Sequence, residues 1–177
     1  MQDAELLIDA EEVADGLQRI SKEIAEGDPG ARDLALVGIR RGGEPVAQHL
    51  ARLLGQRTGQ IILLGSVDIT LYRDDAATAL PSPRLGPSHI PFEVAGTRIV
   101  LVDDVLYTGR TIRAALDALL DYGRPRRIEL AVIADRGGRE LPIQPDYCVA
   151  QTEVSDDSRV EVVANNGSFR VVRTEGA

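Results

Sequence analysis

Apolar residues recur along this chain with two different periods, and the changes between them mark out the elements. Val13, Leu17, Ile20 and Ile24 stand at helical spacing, which predicts an amphipathic helix laid on a sheet. That helix opens at Asp9-Ala-Glu-Glu12, an acceptor followed three residues later by a glutamate, as in a capping box. Gly27 supplies its stop. Leu34-Ala-Leu-Val-Gly-Ile39 is a short unbroken apolar run, as expected of a strand buried on both faces. Pro45 suits the first turn of a second helix reaching Leu54, with Gly55 ending it. Residues 61–70 read as the next strand, with Gly65 as a candidate bulge.

Periodicity then disappears from Tyr72 to Pro91, a segment holding Pro81, Pro83, Pro87 and Pro91. A loop this long inside a compact domain is usually functional or disordered. Residues 98–102 form the clearest buried strand, and a helix follows from about Gly109 to Tyr122, stopped by Gly123 with Pro125 beyond it. Residues 128–134 are the next buried strand. The alternating segments 159–163 and 169–172 flank Asn165-Asn-Gly167, which predicts a C-terminal β-hairpin over residues 159–173. Strands alternating with helices describe an α/β fold, a central and mostly parallel sheet flanked by helices. The 177 residues hold no repeat, linker or low-complexity tract, so a single domain over residues 1–177 is expected.

Composition narrows the class of protein. No apolar run approaches the roughly 20 residues that span a bilayer, and the N-terminus, Met1-Gln-Asp-Ala-Glu5, is acidic where a signal peptide would be basic. A cytoplasmic protein with no membrane partner is expected. The single cysteine, Cys148, excludes an intramolecular disulfide and a multi-cysteine metal site, and its apolar surroundings predict a small buried core residue. A net charge of −8 argues against non-specific nucleic-acid binding, which rests on neutralising phosphates, but leaves room for a local basic patch. Among the 20 basic residues only Lys22 is lysine; arginine suits bidentate phosphate contacts, although a GC-rich genome produces the same bias.

One stretch carries chemistry. Ile99, Val100, Leu101 and Val102 run straight into the carboxylates Asp103 and Asp104; Val105, Leu106 and Tyr107 follow, then Thr108-Gly109-Arg110-Thr111 and a helix. In a parallel sheet ligands bind beyond the carboxyl ends of the strands, and a helix N-terminus offers unpaired amides to a phosphate. Gly109 admits close backbone approach, Thr108 and Thr111 add hydroxyl donors, and the acids are placed for sugar hydroxyls. A bare Asp-Asp after a strand reads equally well as a helix cap; the full succession is far more specific. It is not a Walker A loop, because no Gly-Lys-Ser/Thr occurs.

Residues 99–111 closely resemble the signature with which type I phosphoribosyltransferases bind phosphoribosyl pyrophosphate (PRPP). Asp68-Ile-Thr-Leu-Tyr-Arg-Asp-Asp75, Val102-Asp-Asp-Val-Leu-Tyr-Thr-Gly-Arg-Thr111, Gly123-Arg-Pro125 and Asp135-Arg-Gly137 with Arg139-Glu-Leu-Pro-Ile143 further resemble the PyrR family. Its members are uracil phosphoribosyltransferases, and many also regulate the pyrimidine operon by binding its leader RNA. The resemblance runs from about Leu6 to Tyr147 and is weaker over the terminal hairpin.

The resemblance implies a type I phosphoribosyltransferase fold with a flexible hood loop over residues 72–91. It implies conversion of uracil and PRPP to UMP and pyrophosphate. Mg²⁺ would enter with PRPP near Asp103 and Asp104, without a dedicated protein metal site. The implied catalytic residues are Asp103, Asp104 and Arg73. Arg40, Arg41 and Gly42, in Val37-Gly-Ile-Arg-Arg-Gly-Gly43, would meet pyrophosphate together with Arg84. Tyr72, Arg73 and Arg84 would close over PRPP and exclude water. Ala134, Asp135 and Arg136 would read uracil, with Asp135 equally well a structural cap. His49 reads as an exposed or partly buried helix residue and His89 as part of the loop's return. A homodimer or higher homo-oligomer is expected from relatives of this fold.

Three departures bear on the regulatory half of the resemblance. Arg41-Gly42-Gly43 stands where regulatory members carry Thr-Arg-Gly, Gly138 stands where they carry histidine, and the acidic Gln151-Thr-Glu-Val-Ser-Asp-Asp157 replaces a Thr/Ser/Lys/Arg segment. These weaken RNA binding and leave the PRPP signature untouched. A phosphoribosyltransferase for orotate or a purine, and a PRPP- or UMP-sensing RNA-binding regulator with little catalysis, are the alternatives.

Overall fold

The computed structural model describes residues 4–29, 33–72 and 87–175. Eight strands and three helices follow in order among these residues. They are β1 (Glu5–Ile8), α1 (Ala10–Gly27), β2 (Leu34–Ile39), α2 (Gly43–Thr58), β3 (Leu63–Val67) and β4 (Arg98–Leu106). Then come α3 (Arg110–Leu120), β5 (Arg127–Asp135), β6 (Tyr147–Gln151), β7 (Ser158–Asn165) and β8 (Ser168–Glu175).

Strands β3-β2-β4-β5-β6 form a five-stranded sheet, every pairing parallel. The expected mostly parallel sheet is therefore parallel throughout. Its central strand, β4, alternates its side chains between two cores. Val100 and Val102 face Leu17, Leu50 and Ile133, while Ile99 and Leu101 face Val37, Ile112 and Leu119. Both faces are covered, so these strands read as continuous apolar runs rather than alternating ones.

Helix α1 starts as its sequence predicts. Asp9 Oδ1 accepts from the Glu11 and Glu12 amides at 2.9 Å each, and Glu12 Oε2 accepts from the Asp9 amide at 3.1 Å. Gly16 lets this helix settle on β6: a Cβ there would lie 2.4 Å from Val149 Cγ1. Helix α2 begins earlier and ends later than its proline and glycine suggest. It passes through Gly55 and stops at Gly59, whose φ of 69° and amide bond to the Gly55 carbonyl make the left-handed cap. Gly65 is no bulge, since it pairs in register with Val37. Its missing side chain admits the carbonyl of His89, which a Cβ would meet at 2.9 Å, and His89 bridges back to Ser66 on the loop's return.

A second sheet, in the order β1-β8-β7, is antiparallel. The hairpin forms as Asn-Gly predicts, with Asn166 at φ 49° and Gly167 at φ 81° between the paired Asn165 and Ser168. Phe169 from this hairpin is buried, and His49 of α2 meets its ring edge-on at 5.7 Å between centroids. The partly buried His49 thus helps seat the hairpin. Strands β1 and β6 were not anticipated. Cys148 lies on β6, an edge strand, and is half-buried rather than buried; burial raises its thiol pKa all the same.

The amino-terminal edge of the large sheet hides an ion pair. Arg98 and Glu129 are 3% and 2% exposed, their guanidinium and carboxylate meeting at 2.6 and 3.0 Å. Tyr147 donates to Glu129 Oε1 at 2.7 Å, and Arg98 also donates to the Ile24 carbonyl at 3.0 Å. Burial pushes the Glu129 carboxyl up, but the Arg98 and Tyr147 hydrogen bonds and the arginine charges outweigh it, leaving the pKa below the usual 4.5. A depressed carboxyl stabilises the fold fully above its unfolded pKa and loses that contribution as pH falls through the folded value. Glu129→Gln is expected to lower unfolding free energy by about 3–5 kcal/mol at neutral pH, because Arg98 is left as an uncompensated buried charge. In urea melts, the gap from wild type should narrow as pH drops below 4.5; a pH-independent gap would contradict the pairing.

Candidate active site

The carboxyl ends of β2, β4 and β5 converge on one edge of the parallel sheet, where this architecture places ligands. Strand β4 does not stop at Val102. It continues through Asp103 and Asp104 to Leu106, so the acids sit within the strand's last four residues after Val102. Asp103 is buried, and its Oδ1 accepts from the Asp104 amide at 2.9 Å; Asp104, half-buried, accepts from the Val105 amide at 2.8 Å. Burial first, and the neighbouring Asp104 charge second, push the Asp103 carboxyl well above the usual carboxylate range.

The turn between β2 and α2 presses onto these acids. A Cβ on Gly42 would stand 2.2 Å from Asp104 Oδ2, and one on Gly43 would stand 2.1 Å from the Val102 carbonyl oxygen. At Gly43, where the clash is with backbone, only glycine fits; at Gly42 a side chain would have to displace the Asp104 carboxylate. In the same turn the Arg40 amide donates to the Val67 carbonyl, and its Nε lies 3.2 Å from Ser66 Oγ and 3.7 Å from Glu44. Arg40 is thus partly committed to the scaffold, joined by a cis peptide to Arg41, which is exposed.

Beyond β4 the chain turns at Gly109, whose φ of 92° opens α3 without a side-chain cap. The Arg110 amide is served by Thr108 Oγ1 at 3.2 Å, while Thr111 is exposed in the first turn. The uncapped start of the helix suits an external anion. Residues 139–143 support this turn from beneath. The Thr108 carbonyl accepts from the Glu140 and Leu141 amides, Arg110 pairs with Glu140, and Leu141 and Ile143 lie 3.4 Å from where a Gly109 Cβ would be.

Arg139 organises the junction, a role that sequence reasoning did not assign. It donates to Asp135 Oδ2 at 2.7 Å, to the Tyr107 carbonyl at 2.9 Å and to the Ile143 carbonyl at 2.8 Å. Asp135 is buried, and also accepts from the Gly137 amide at 3.0 Å. Its burial raises the pKa, but Arg139 and that amide more than offset it, holding the carboxyl below its usual value. Asp135 therefore serves the loop as a cap. Ala134 is buried inside the sheet, between Val105 and Ala150.

Arg136 lies with its guanidinium carbon 3.9 Å from the centroid of the Tyr107 ring, and donates to the Ser158 carbonyl at 3.0 Å. Val105, Tyr107 and Arg136 form one wall of a cavity of about 720 Å³. Ser158, Val160 and Thr174 of the hairpin form another. Tyr72 faces elsewhere: its hydroxyl donates to Asp121 at the far end of α3, and its carbonyl accepts from Arg113 at 2.8 Å. Arg73 and Arg84 lie outside the described residues.

The phosphoribosyl transferase domain family matches residues 4–165. "Bifunctional protein PyrR" of Roseiflexus sp. is 51% identical over 154 residues, 87% of this chain and 84% of that protein. The protein of the same name from Pelotomaculum thermopropionicum is 46% identical over 97% of this chain and 96% of its own. That from Thermus thermophilus is 49% identical over 93% and 92%. Among solved structures, the hypoxanthine phosphoribosyltransferase of Trypanosoma cruzi superposes with a TM-score of 0.69 over 97% of both chains at 18% identity, which shows the shared fold. The purine phosphoribosyltransferase of Pyrococcus horikoshii reaches a TM-score of 0.60 at 26% identity, over 80% of this chain and 83% of that one. With the acid pair, the glycine turn and the uncapped helix all at one sheet edge, the chain belongs to the PyrR family of phosphoribosyltransferases, and its fold is the type I phosphoribosyltransferase fold.

Proposed function

We propose that this protein transfers the phosphoribosyl group of PRPP to uracil, giving UMP and pyrophosphate. The observation that carries the reading is Asp104 held against the Gly42 turn on the strand that leads into the Thr108–Gly109 turn, with Val105 and Tyr107 of the same strand end lining a cavity of about 720 Å³. In this reading Thr108, Gly109, Arg110 and Thr111 hold the 5-phosphate at the start of α3. Asp104 accepts from a ribose hydroxyl and faces the positive charge that develops on the ring as the glycosidic bond breaks. Arg41, the Arg40–Gly42 backbone, Arg73 and Arg84 receive the departing pyrophosphate.

Mg²⁺ fits this arrangement as a companion of PRPP. The donors on offer are hard carboxylate oxygens, and no group of three or more His, Cys, Asp or Glu that could cage a metal occurs among the described residues. Asp104, with Asp103 behind it, would hold the ion's outer side, and the ion when bound would neutralise charge on the pyrophosphate oxygens.

The cavity favours uracil over orotate. Asp156, Asp157, Glu161 and Glu175 line it against Arg136 and Arg159, a surplus of negative charge that disfavours a carboxylate-bearing base. No helix among the described residues is long and apolar enough to cross a membrane, and we place the enzyme in the cytoplasm, as a homodimer or higher homo-oligomer working with one catalytic domain over residues 1–177.

The relatives' name, bifunctional, supports a second role, UMP-dependent binding of pyrimidine-operon leader RNA. Exposed Arg41, Arg124, Arg126 and Arg127 offer phosphate contacts, but Arg126 pairs with Asp28 and Arg127 with Glu129. The acids at 153, 156 and 157 oppose them, so catalysis is the first reading and RNA binding the second.

Pyrophosphate release from PRPP is expected to depend on uracil, with orotate and hypoxanthine poor acceptors; preference for either would overturn the assignment. In the same assay Asp104→Asn should lower kcat/KM by about 100-fold, roughly 3 kcal/mol of transition-state stabilisation, and activity within twofold of wild type would remove Asp104 from the mechanism. Gly109→Val should raise the PRPP KM by about tenfold or more, since a β-branched residue resists a positive φ; an unchanged KM would separate this turn from phosphate binding. For the regulatory role, a salt-dependent titration should show leader RNA bound more tightly than control RNA only with UMP present, and equal binding of both would exclude it.

A further inference from the structure

The hairpin is held from two sides. Behind, Val160, Phe169 and Val171 sink into the core. In front, above the cavity, the start of β7 is tied to β5 by the Arg136 guanidinium, through its 3.0 Å bond to the Ser158 carbonyl. That guanidinium is itself fixed against the PRPP loop, flat enough over Tyr107 for a 3.9 Å approach to the ring centroid. The Arg136 amide also donates to the Leu106 carbonyl at 3.0 Å, so backbone and side chain both grip the loop. A guanidinium over an aromatic face gains from the ring's negative quadrupole.

Gly138 keeps the arrangement open. Its φ is 71°, and a Cβ there would lie 2.5 Å from Tyr107 Cε2. Any larger residue would drive the ring off the arginine or reshape the loop. The Tyr107 carbonyl is meanwhile fixed by Arg139 at 2.9 Å, so the ring has a rigid base and a partner on one face. Arg136 Nε is buried without a partner among the described residues, which identifies the side chain as held by its terminal nitrogen and its stacking.

We infer that Arg136 is a positioning residue for the reaction rather than a reader of the base: it latches the hairpin wall of the cavity to the PRPP loop through Tyr107. Its guanidinium is already engaged on one face by the ring and at one end by a carbonyl. Its leverage comes from standing where the two walls meet, so it sets the width of the space in which the base must lie. The inference rests on the cavity taking the base, as proposed above, but the latch itself can be tested without any substrate.

Arg136→Met keeps length and removes both the charge and the donor. In hydrogen exchange of the free protein, amides of residues 156–161 should exchange about tenfold faster, the loss of one charged hydrogen bond and one cation–π contact, while β4 and β5 amides keep their protection. Tyr107→Leu should raise exchange in the same segment, Tyr107→Phe should not, and Tyr107→Leu combined with Arg136→Met should match Arg136→Met alone. In the PRPP assay the Arg136→Met uracil KM should rise about tenfold while kcat and the PRPP KM stay within about twofold. Unchanged exchange at 156–161 overturns the latch, as does a loss confined to kcat or to the PRPP KM. A wild-type protein inactive with uracil would instead overturn the proposed reaction, and the exchange experiment would still decide on the latch. Should Arg136→Met fail to fold, Tyr107→Leu read against Tyr107→Phe carries the same test.

Discussion

Two missing side chains bring the site together. At Gly42 and Gly43 the turn leaving β2 lies so close to β4 that a single Cβ would overlap Asp104 Oδ2 or the Val102 carbonyl. Because β2 and β4 are adjacent and parallel, their carboxyl ends emerge side by side, and Gly43 puts no side chain between the turn and the β4 backbone. With the turn so placed, α2 can start at Gly43 and pack Val46, Ala47 and Leu50 into the core. The same contact holds Asp104 in place. A carboxylate on a bare strand end would sample several rotamers; one lodged against backbone has few to lose when substrate binds. Scaffold and chemistry therefore share one constraint.

Much of this was legible in the sequence, and the reasons are local. The capping box at Asp9 and Glu12, the Asn-Gly hairpin and the buried runs of β2, β4 and β5 each follow from chemistry within a few residues. The acid pair and the Thr-Gly-Arg-Thr turn were readable for the same reason. What escaped depends on residues far apart in the chain. Strand β1 has four residues and exists because β8 is there to pair with it. Strand β6 owes its place to β5 on one side and to Gly16 of α1 beneath. Helix α2 runs past Gly55 to Thr58, where Arg57 finds Ser21 and Gln18 of α1, partners that local propensity cannot know.

The same distinction explains the site residues. Following a strand in the right place, Arg136 reads from sequence as facing the base, and Asp135 as facing it or capping the loop. In the fold Asp135 is bound by Arg139 and Arg136 bonds the Ser158 carbonyl. Arg139 stood inside a quoted motif without a role, since three carbonyl and carboxylate partners spread over residues 107–143 converge on it only in the folded chain. Tyr72 lies on the flank of α3 for a similar reason, its hydroxyl bound at Asp121.

An acidic protein with a pair of adjacent aspartates is an unexpected host for a polyanionic substrate, yet the net charge of −8 is not what a ligand meets. At physiological salt, charges beyond about 8 Å are largely screened, so the groups within a few ångströms decide. There the unfavourable element would be two ionised carboxylates side by side. Burial of Asp103, with the Asp104 charge beside it, pushes that carboxyl well above the usual carboxylate range, which eases the difficulty. Asp104 is half-exposed and lodged against the glycine turn. In the proposed reaction a carboxylate fixed there would face the charge that develops on the ribose ring. The exposed Arg41 and the uncapped start of α3 supply the opposite sign on either side. The groups within reach of the acid pair, rather than the overall acidity of the chain, decide what a ligand meets there.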